Sequence, residues 1–528
     1  MKIIGYQSGH DVAYCILDNG VAVIHEELER FTREKEPLGD GIEMFFDRVP
    51  DEYLDKIEHV TFANHGVYEG KHADVCISEE SKNKLEKLLE KNKAKYHIIG
   101  HHKSHAANAF FSSNYDDALV FTLDGGGTEE DGTRTAFTVW EGKGNKIEPI
   151  LITHSFDFNL GAPWRKYVGK IFELSDGWPY GNSAGTVMAM ASPGEPKYWE
   201  DFYPGFLTGD LDYIVNKYKP IADRSEEDKF DVAASVQKAT EVITKEYMIS
   251  HIEKYKPKNI CLSGGVALNS VMVGKMYDWF DGIVENIFVD PVPYDGGLAL
   301  GSARYLWHHI LDNPRIKWKD NASSYLGASY EKDEIDEAID KNKDKIVFKK
   351  QTDDEVVDLL MDNKIISVFG GGSESGRRAL GNRSILCDPR SPDMKDIINE
   401  KVKHRQWFRP FAPSILREDV KDWFTRDVDS PYMATVLKFK KSVRNKVPAV
   451  VHLDGTGRLQ TVTENDNKWY YNFIKKFKEK TGVPIVLNTS FNDREPIVET
   501  PEHAINCFLG TDIDYLYFRD VNLLVEKK

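Results

Sequence analysis

At 528 residues, 41% hydrophobic and 29% charged, the chain is long enough for two or more domains, each with its own core. No run approaches twenty consecutive apolar residues, and MKIIGYQSGHD enters a strand pattern without a basic region or apolar signal core; no membrane span and no secretion signal are expected, and the cytoplasm is the expected location. The net charge of −16 argues against a broad nucleic-acid-binding surface, and five scattered cysteines (Cys15, Cys76, Cys261, Cys387, Cys507) give neither a disulfide framework nor a Cys-X-X-Cys zinc site.

In chain order, four short apolar runs end in glycine-rich turns that carry a polar residue: KIIGYQSGHD, ALVFTLDGGG, NICLSGGVALN and VDPVPYDGGLALGSA. A buried strand that delivers a polar group into a tight turn is how α/β folds build ligand sites. Between the runs, residues 230–255 show apolar positions at helical spacing. The first part of the chain therefore reads as α/β. Residues 310–350 turn polar and lysine-rich, which predicts a surface connection, with one domain over 1–335 and another over 345–528. The strand and glycine-turn pattern restarts at KIISVFGGGSESGRRALGNRSILCDPR and returns at VPIVLNTSFN.

In HHKSHAANAFF, a helix would place His101 and His105 four residues apart on one face, close enough to grip one ion, with His102 pointing elsewhere. Two imidazoles rarely complete a site. Asp124, at the expected strand end within FTLDGGG, and Asp295, in YDGGLALG, are the candidate carboxylates, and mixed nitrogen and oxygen ligands suit iron(II), manganese or zinc. A helical HxxxH by itself is weak evidence, since two such histidines are commonly ordinary surface or core residues. Gly125, Gly126 and Gly127, with Gly264, Gly265 and Asn269, form loops through which backbone N–H groups could approach a nucleotide's phosphates, although no Walker P-loop is present. Between Arg377 and Arg409 stand nine lysines and arginines (Arg377, Arg378, Arg383, Arg390, Lys395, Lys401, Lys403, Arg405, Arg409). They are interleaved with ALG, SIL and FRPFAPS, which predicts a shaped cationic pocket rather than a solvated face. Arg458 in HLDGTGRLQTV, and Asn488, Ser490 and Asn492 in LNTSFN, supply further donors.

Ten ordered motifs, from GHDVAYCILDNG and EELERFTREK through GRRALGNRSILCDPR and VKHRQWFRPFAPS to TGVPIVLNTSFN, resemble the O-carbamoyltransferases of antibiotic and nodulation-factor biosynthesis nearly end to end. The resemblance implies a duplicated actin-like (ASKHA) first domain and a YrdC-like α/β second domain. It implies ATP as a substrate, with magnesium, that reacts with carbamoyl phosphate to give carbamoyladenylate in the second domain, at Arg378, Lys403, Arg405, Arg409, Arg458, Ser490 and Asn492. It further implies transfer of the carbamoyl group to an acceptor hydroxyl in the first domain, where iron(II) held by His101, His105, Asp124 and Asp295 anchors the nucleotide. His10 then matches the catalytic histidine, an imidazole with a pKa near neutrality suited to accept a hydroxyl's proton, with Asp11 orienting it or shaping the turn.

Four positions depart from the family pattern: Gly372 for an Arg, Arg377 for a Pro, Thr186 for a Lys, and Val273 for an Asn. The acceptor is not readable. A sugar or aminoglycoside hydroxyl, a polyketide alcohol, a nodulation-factor-like glycan and a hydroxymethylated nucleobase are all compatible, and a homodimer is the default expectation for assembly. The competing readings are a threonylcarbamoyl transferase acting on tRNA, a sugar or acetate kinase of the same superfamily, and a nucleotide-binding module that has lost turnover.

Overall fold

Strand β1 (Lys2–Gln7), buried along all but its first residue, pairs antiparallel with β2 (Ala13–Asp18), which pairs antiparallel with β3 (Val21–Glu27). On its other side β1 runs parallel to β4 (Ile57–Ala63), and β4 parallel to β5 (Lys95–Ile99), so the sheet order is β3-β2-β1-β4-β5. The pattern then repeats. β6 (Asp117–Thr128), β7 (Arg134–Lys143) and β8 (Lys146–His154) form an antiparallel meander, β9 (Asn259–Ser263) and β10 (Asn286–Val289) add in parallel, and the order is β8-β7-β6-β9-β10. Two copies of one five-strand order are the duplication expected of an actin-like domain, and the fold class is α/β. This is a computed structural model that describes residues 1–63, 67–68, 71–72, 77–174, 183–207, 210–317 and 324–528.

The chain divides into two units, Met1–Trp318 and Lys319–Lys528. In the first, helix α1 (His101–Ser112) is buried along its whole length except Lys103, so its core is not a stripe but a full circumference. Ala106, Ala107, Ala109, Phe110 and Phe111 pack with Val120, Trp140 and Cys261 of the second sheet's side. The helical spacing over 230–255 is realised in α2 (Glu226–Tyr255), which Ser225 caps by accepting from the Asp228 N–H, with three acids in its first turn. α3 (Leu298–Tyr305) follows the Asp295 turn and is buried throughout.

The second unit is built on one nine-stranded mixed sheet of β11 (Ile346–Lys350), β12 (Ile366–Phe369), β13 (Arg383–Cys387), β14 (Ala412–Leu416), β15 (Thr435–Lys438), β16 (Thr456–Val462), β17 (Ile485–Ser490), β18 (Tyr515–Phe518) and β19 (Leu523–Lys527). Their order is β11-β19-β18-β12-β13-β17-β14-β16-β15. Helices α4 (Lys332–Lys341), α5 (Asp353–Met361), α6 (Met394–Lys401), α7 (Lys468–Thr481) and α8 (Pro501–Leu509) contribute to its core.

This arrangement moves the expected domain boundary. Most of the polar stretch read as a connector over 310–350 lies inside the second unit: Ile335, Ala338 and Ile339, at helical spacing, bury one face of α4 in that core, and a capping box of Glu331 and Glu334 starts the helix. The division falls instead between Trp318 and Lys319. Cys76 lies outside the described residues, and the other four cysteines are buried thiols. Among the described residues no helix is long and apolar enough to cross a membrane.

Candidate functional site

The i, i+4 spacing on α1 brings His101 and His105 together, with ring centroids 4.7 Å apart, and an irregular stretch of β6 and the turn after β10 bring Asp124 and Asp295 to them. One ligand atom from each of the four residues lies within 4.8 Å of the other three, and all four residues are buried. His101 Nε2 stands 3.1 Å from Asp124 Oδ2 and 3.8 Å from Asp295 Oδ1, and His105 Nε2 stands 3.3 Å from Asp295 Oδ1. Burial alone would raise the Asp124 carboxyl, but the His101 hydrogen bond and the neighbouring imidazoles hold it well below the usual carboxylate range. His102 turns away to Thr122, its Nδ1 at 2.5 Å from Oγ1.

These residues fit a divalent ion. His105 Nδ1 is 3.3 Å from Ser263 Oγ, while its fully buried Nε2 has no hydrogen-bond partner among the described residues and faces a carboxylate. A buried polar atom left in that condition is costly unless something else completes it. Two nitrogens and two carboxylates are a borderline-metal donor set.

His10 stands at the edge of the tetrad. Its Nδ1 is 3.0 Å from Asp11 Oδ2, its Nε2 is 3.4 Å from Asp295 Oδ2, and 21% of its side chain is exposed. Burial pulls the imidazole down, yet the hydrogen bond with Asp11 and the charge of Asp295 outweigh it and push the pKa up to about 9. The value near neutrality expected from residue type is therefore corrected, because two carboxylates flank the ring. Asp11 adopts a left-handed φ of 53°, so it shapes the turn as well as holding the ring.

Asp124 also gathers the two glycine loops: its Oδ1 accepts from Gly265 N at 3.0 Å and its Oδ2 from Gly126 N at 3.3 Å. Gly126 and Gly264 take φ of +126° and +87°, which only glycine adopts readily. Gly125 lies under Arg165, whose Nη2 would be 3.1 Å from a Cβ there. Two of the predicted nucleotide residues are occupied within the protein. A Cβ at Gly127 would come 2.0 Å from the His101 ring, and Asn269 caps the helix at Ser270 while bonding Gln237.

In the second unit, eight of the nine bases separate into distinct roles. Arg383 is fully buried, gives its N–H groups to carbonyls of Gly370, Gly371, Asn382 and Ala328, and stacks on Phe369. Arg390 pairs with Asp388, Lys395 lies over Trp407, and Lys401 is exposed. Arg378, Arg405 and Arg409 converge on Arg458: burial first, then these three like charges, drive the Arg458 pKa well below its ordinary value, and Arg405 falls to about 9 for the same two reasons. A groove of about 380 Å³ lined by Asp396, Asn399, Glu400, His404 and Trp407 runs past Arg405.

Lys403 sits deeper, with Nζ donating to Asn492 O and Oδ1, each at 2.7 Å, and to Ser490 O at 2.5 Å, while Ser490 Oγ donates to Asn492 Oδ1 at 2.7 Å. These three residues clamp the 403–409 loop to the end of β17.

The departures have local explanations in part. A Cβ at Gly372 would lie 2.7 Å from Tyr325 O, so the backbone here leaves no room for a side chain, and Val273 is buried in the core. Thr186 is buried on the helix Ala184–Met190, and nothing in the structure explains the change from Lys. Sequence reading missed the supporting residues: Ser263, inside SGGVALN, and Glu129, just past the end of β6, whose Oε1 accepts from His102 N at 2.8 Å. Both lay in or beside a recognised motif, which was the available signal.

The family model described as Carbamoyltransferase C-terminus matches residues 357–527, and Carbamoyltransferase N-terminus matches residues 208–304. An uncharacterized protein of Synechocystis is 34% identical over 79% of this chain and 74% of its own, and Nodulation protein NolO of Bradyrhizobium diazoefficiens is 34% identical over 79% of this chain and 77% of its own. Among solved structures, HypF of T. kodakarensis aligns at 14% identity and a TM-score of 0.34 over 57% of this chain and 46% of that one, too slight a likeness to bear on the site. The matched models and the extent of the NolO alignment establish that this chain belongs to the carbamoyltransferase family and is a transferase.

Proposed function

We propose that the protein is an ATP-dependent O-carbamoyltransferase whose two half-reactions belong to its two units. The observation that carries this reading is that Arg378, Arg405, Arg409 and Arg458 are all half-buried, with the charges of the first three acting on the fourth. Clustered, desolvated guanidinium groups repel one another, and a fold keeps them together where a polyanion repays that cost. Carbamoyl phosphate and ATP, with magnesium, are the polyanions that fit. Formation of carbamoyladenylate from them consumes one water and releases orthophosphate and pyrophosphate. The arginines hold both phosphorylated reactants, and Lys403 with Ser490 and Asn492 fixes the loop that presents Arg405 and Arg409.

In the first unit, the acceptor hydroxyl attacks the carbamoyl carbon, the bond to the AMP phosphate breaks, and AMP leaves. His10, braced by Asp11 and facing Asp295, takes the hydroxyl's proton in its neutral form, so transfer is expected to quicken as pH rises toward about 9. The turns at Gly125, Gly126 and Gly265 leave the AMP phosphate room to approach the backbone beside Asp124, which itself takes the Gly126 and Gly265 N–H groups. His101, His105, Asp124 and Asp295 would hold a divalent ion, iron(II) on the family resemblance, which when bound supplies Lewis-acid stabilisation of phosphate charge.

The test is to incubate the pure protein with ATP and carbamoyl phosphate and to detect pyrophosphate and carbamoyladenylate by mass spectrometry. Arg409→Ala is expected to abolish adenylate formation. His10→Asn is expected to leave it intact and block transfer. Equal loss of the first half-reaction in both variants overturns the assignment of two sites.

A further inference from the structure

We propose that Asn108 is the positioning residue of the metal tetrad, holding the loop that supplies Asp295 against the helix that supplies both histidines. The inference rests on the metal reading above and concerns a residue that takes no part in coordination.

Three of the four candidate ligands come from rigid neighbours: His101 and His105 from α1, and Asp124 from the end of the β6 core. Asp295 comes from a connection that leaves β10 at Val289 and enters α3 at Leu298. Nothing in the strand itself fixes where that connection lies relative to α1. Asn108, one turn beyond His105, does so with its whole amide. Nδ2 donates to Asp290 Oδ1 at 2.9 Å and to Val292 O at 3.1 Å, and Oδ1 accepts from Arg304 Nη1 at 2.6 Å. One side chain therefore ties α1 to the start of the connection, to its middle, and to α3 beyond it.

The surroundings reinforce that placement. Asp290 Oδ1 also accepts from Val292 N at 2.7 Å, closing a turn, and its Oδ2 accepts from Ser112 Oγ at 2.5 Å. Asn108, Asp290 and Arg304 are all buried, so each lost contact strands a polar group away from water. The approach is so close that a Cβ at Gly297 would meet Val292 O at 2.1 Å and Asn108 Nδ2 at 2.6 Å, and one at Gly301 would meet Ser104 O at 1.9 Å. Ser104 itself lies between the two histidines. Sub-ångström displacement of this connection moves Asp295 Oδ1 relative to both imidazoles, and metal affinity depends steeply on such distances.

The experiment titrates cobalt(II) into the full-length wild type, Asn108→Ala, Asn108→Ser and Ser112→Ala, reading the dissociation constant and the d–d absorption, with the melting midpoint of each metal-free protein beside them. Ser112→Ala removes a contact between the same helix and the same aspartate but leaves the amide bridge to Val292. Both Asn108 variants are expected to bind cobalt about tenfold to a hundredfold more weakly, with an altered d–d band. Ser112→Ala is expected to keep the wild-type affinity and spectrum even where it melts as low as the Asn108 variants. Wild-type affinity and spectrum in either Asn108 variant, or equal weakening in Ser112→Ala, overturns the inference and leaves the tetrad standing. Failure of the wild-type chain to bind cobalt overturns the tetrad, and the inference with it.

Discussion

Arg458 is held in a place that its own charge opposes. Half-buried beside Arg378, Arg405 and Arg409, it is pushed toward the neutral form by desolvation and by three like charges. In the ligand-free protein such a group should weaken the fold while serving the ligand, the usual conflict between stability and function. Arg458→Met keeps the stem of the side chain and removes the charge. It is expected to stabilise the ligand-free protein by about 1 kcal/mol in urea unfolding at low salt, a gain that shrinks as salt screens the repulsion, while adenylate formation falls more than about a hundredfold. A loss of stability would mean that the arginines do not strain the fold. At this scale the sequence was informative where the chemistry is local. His101, His105, Asp124 and Asp295 each sit in a short motif, and the structure gathers them. It was less informative for the bases between Arg377 and Arg409, because spacing along a loop does not say which side chain turns inward. Arg383 looks like its neighbours in sequence, yet it is an internal strut.

Helix α1 shows how an element can hold chemistry that its own sequence does not stabilise. It begins at Gly100, which has no side chain to cap it. The orphan N–H groups are satisfied from the turn after β6 instead: Glu130 Oε1 accepts from Gly100 N at 2.7 Å, and Glu129 Oε1 from His102 N at 2.8 Å. Negative charge at this end also suits the helix dipole. Glu129→Ala is expected to cost about 1–2 kcal/mol, read as a shift in the urea midpoint, with Glu129→Gln recovering part of it through the retained carbonyl. No change in the Ala variant would show that Glu130 alone caps the helix. The helix was legible from HxxxH spacing, but its cap was not, since the partners lie 27 and 30 residues away. The opposite failure occurred at α4, where a charged, mostly acidic surface hid a narrow apolar face of Ile335, Ala338 and Ile339. Composition reported the exposed majority, and the buried three decided the fold.

For the whole molecule, charge and titration are distributed unevenly. Residues 319–528 hold as many acids as bases, so the net charge of −16 belongs to the first unit. The strand order repeated in that unit was legible only as recurring strand-and-glycine turns, because sheet order depends on pairings between distant segments. Its response to acid can be argued from His308, which is buried against Phe111 with ring centroids 4.5 Å apart. Burial, then the charges of Arg315 and Arg304, pull its pKa from 6.5 down to about 3, despite weak opposition from the Asn313 and Pro314 carbonyls. The folded state therefore keeps the ring neutral while the unfolded chain takes up a proton below about pH 6.5. Stability from this group is complete above that value and drains away as pH falls toward 3. By pH 5 the loss is about 2 kcal/mol. His308→Phe preserves the ring contact and removes the titration. Its unfolding free energy, measured in urea at pH 7.5 and pH 5, should therefore fall by about 2 kcal/mol less than that of the wild type between the two conditions. Parallel losses in both proteins would show that His308 is protonated in the folded state and that the acid sensitivity of the first unit lies elsewhere.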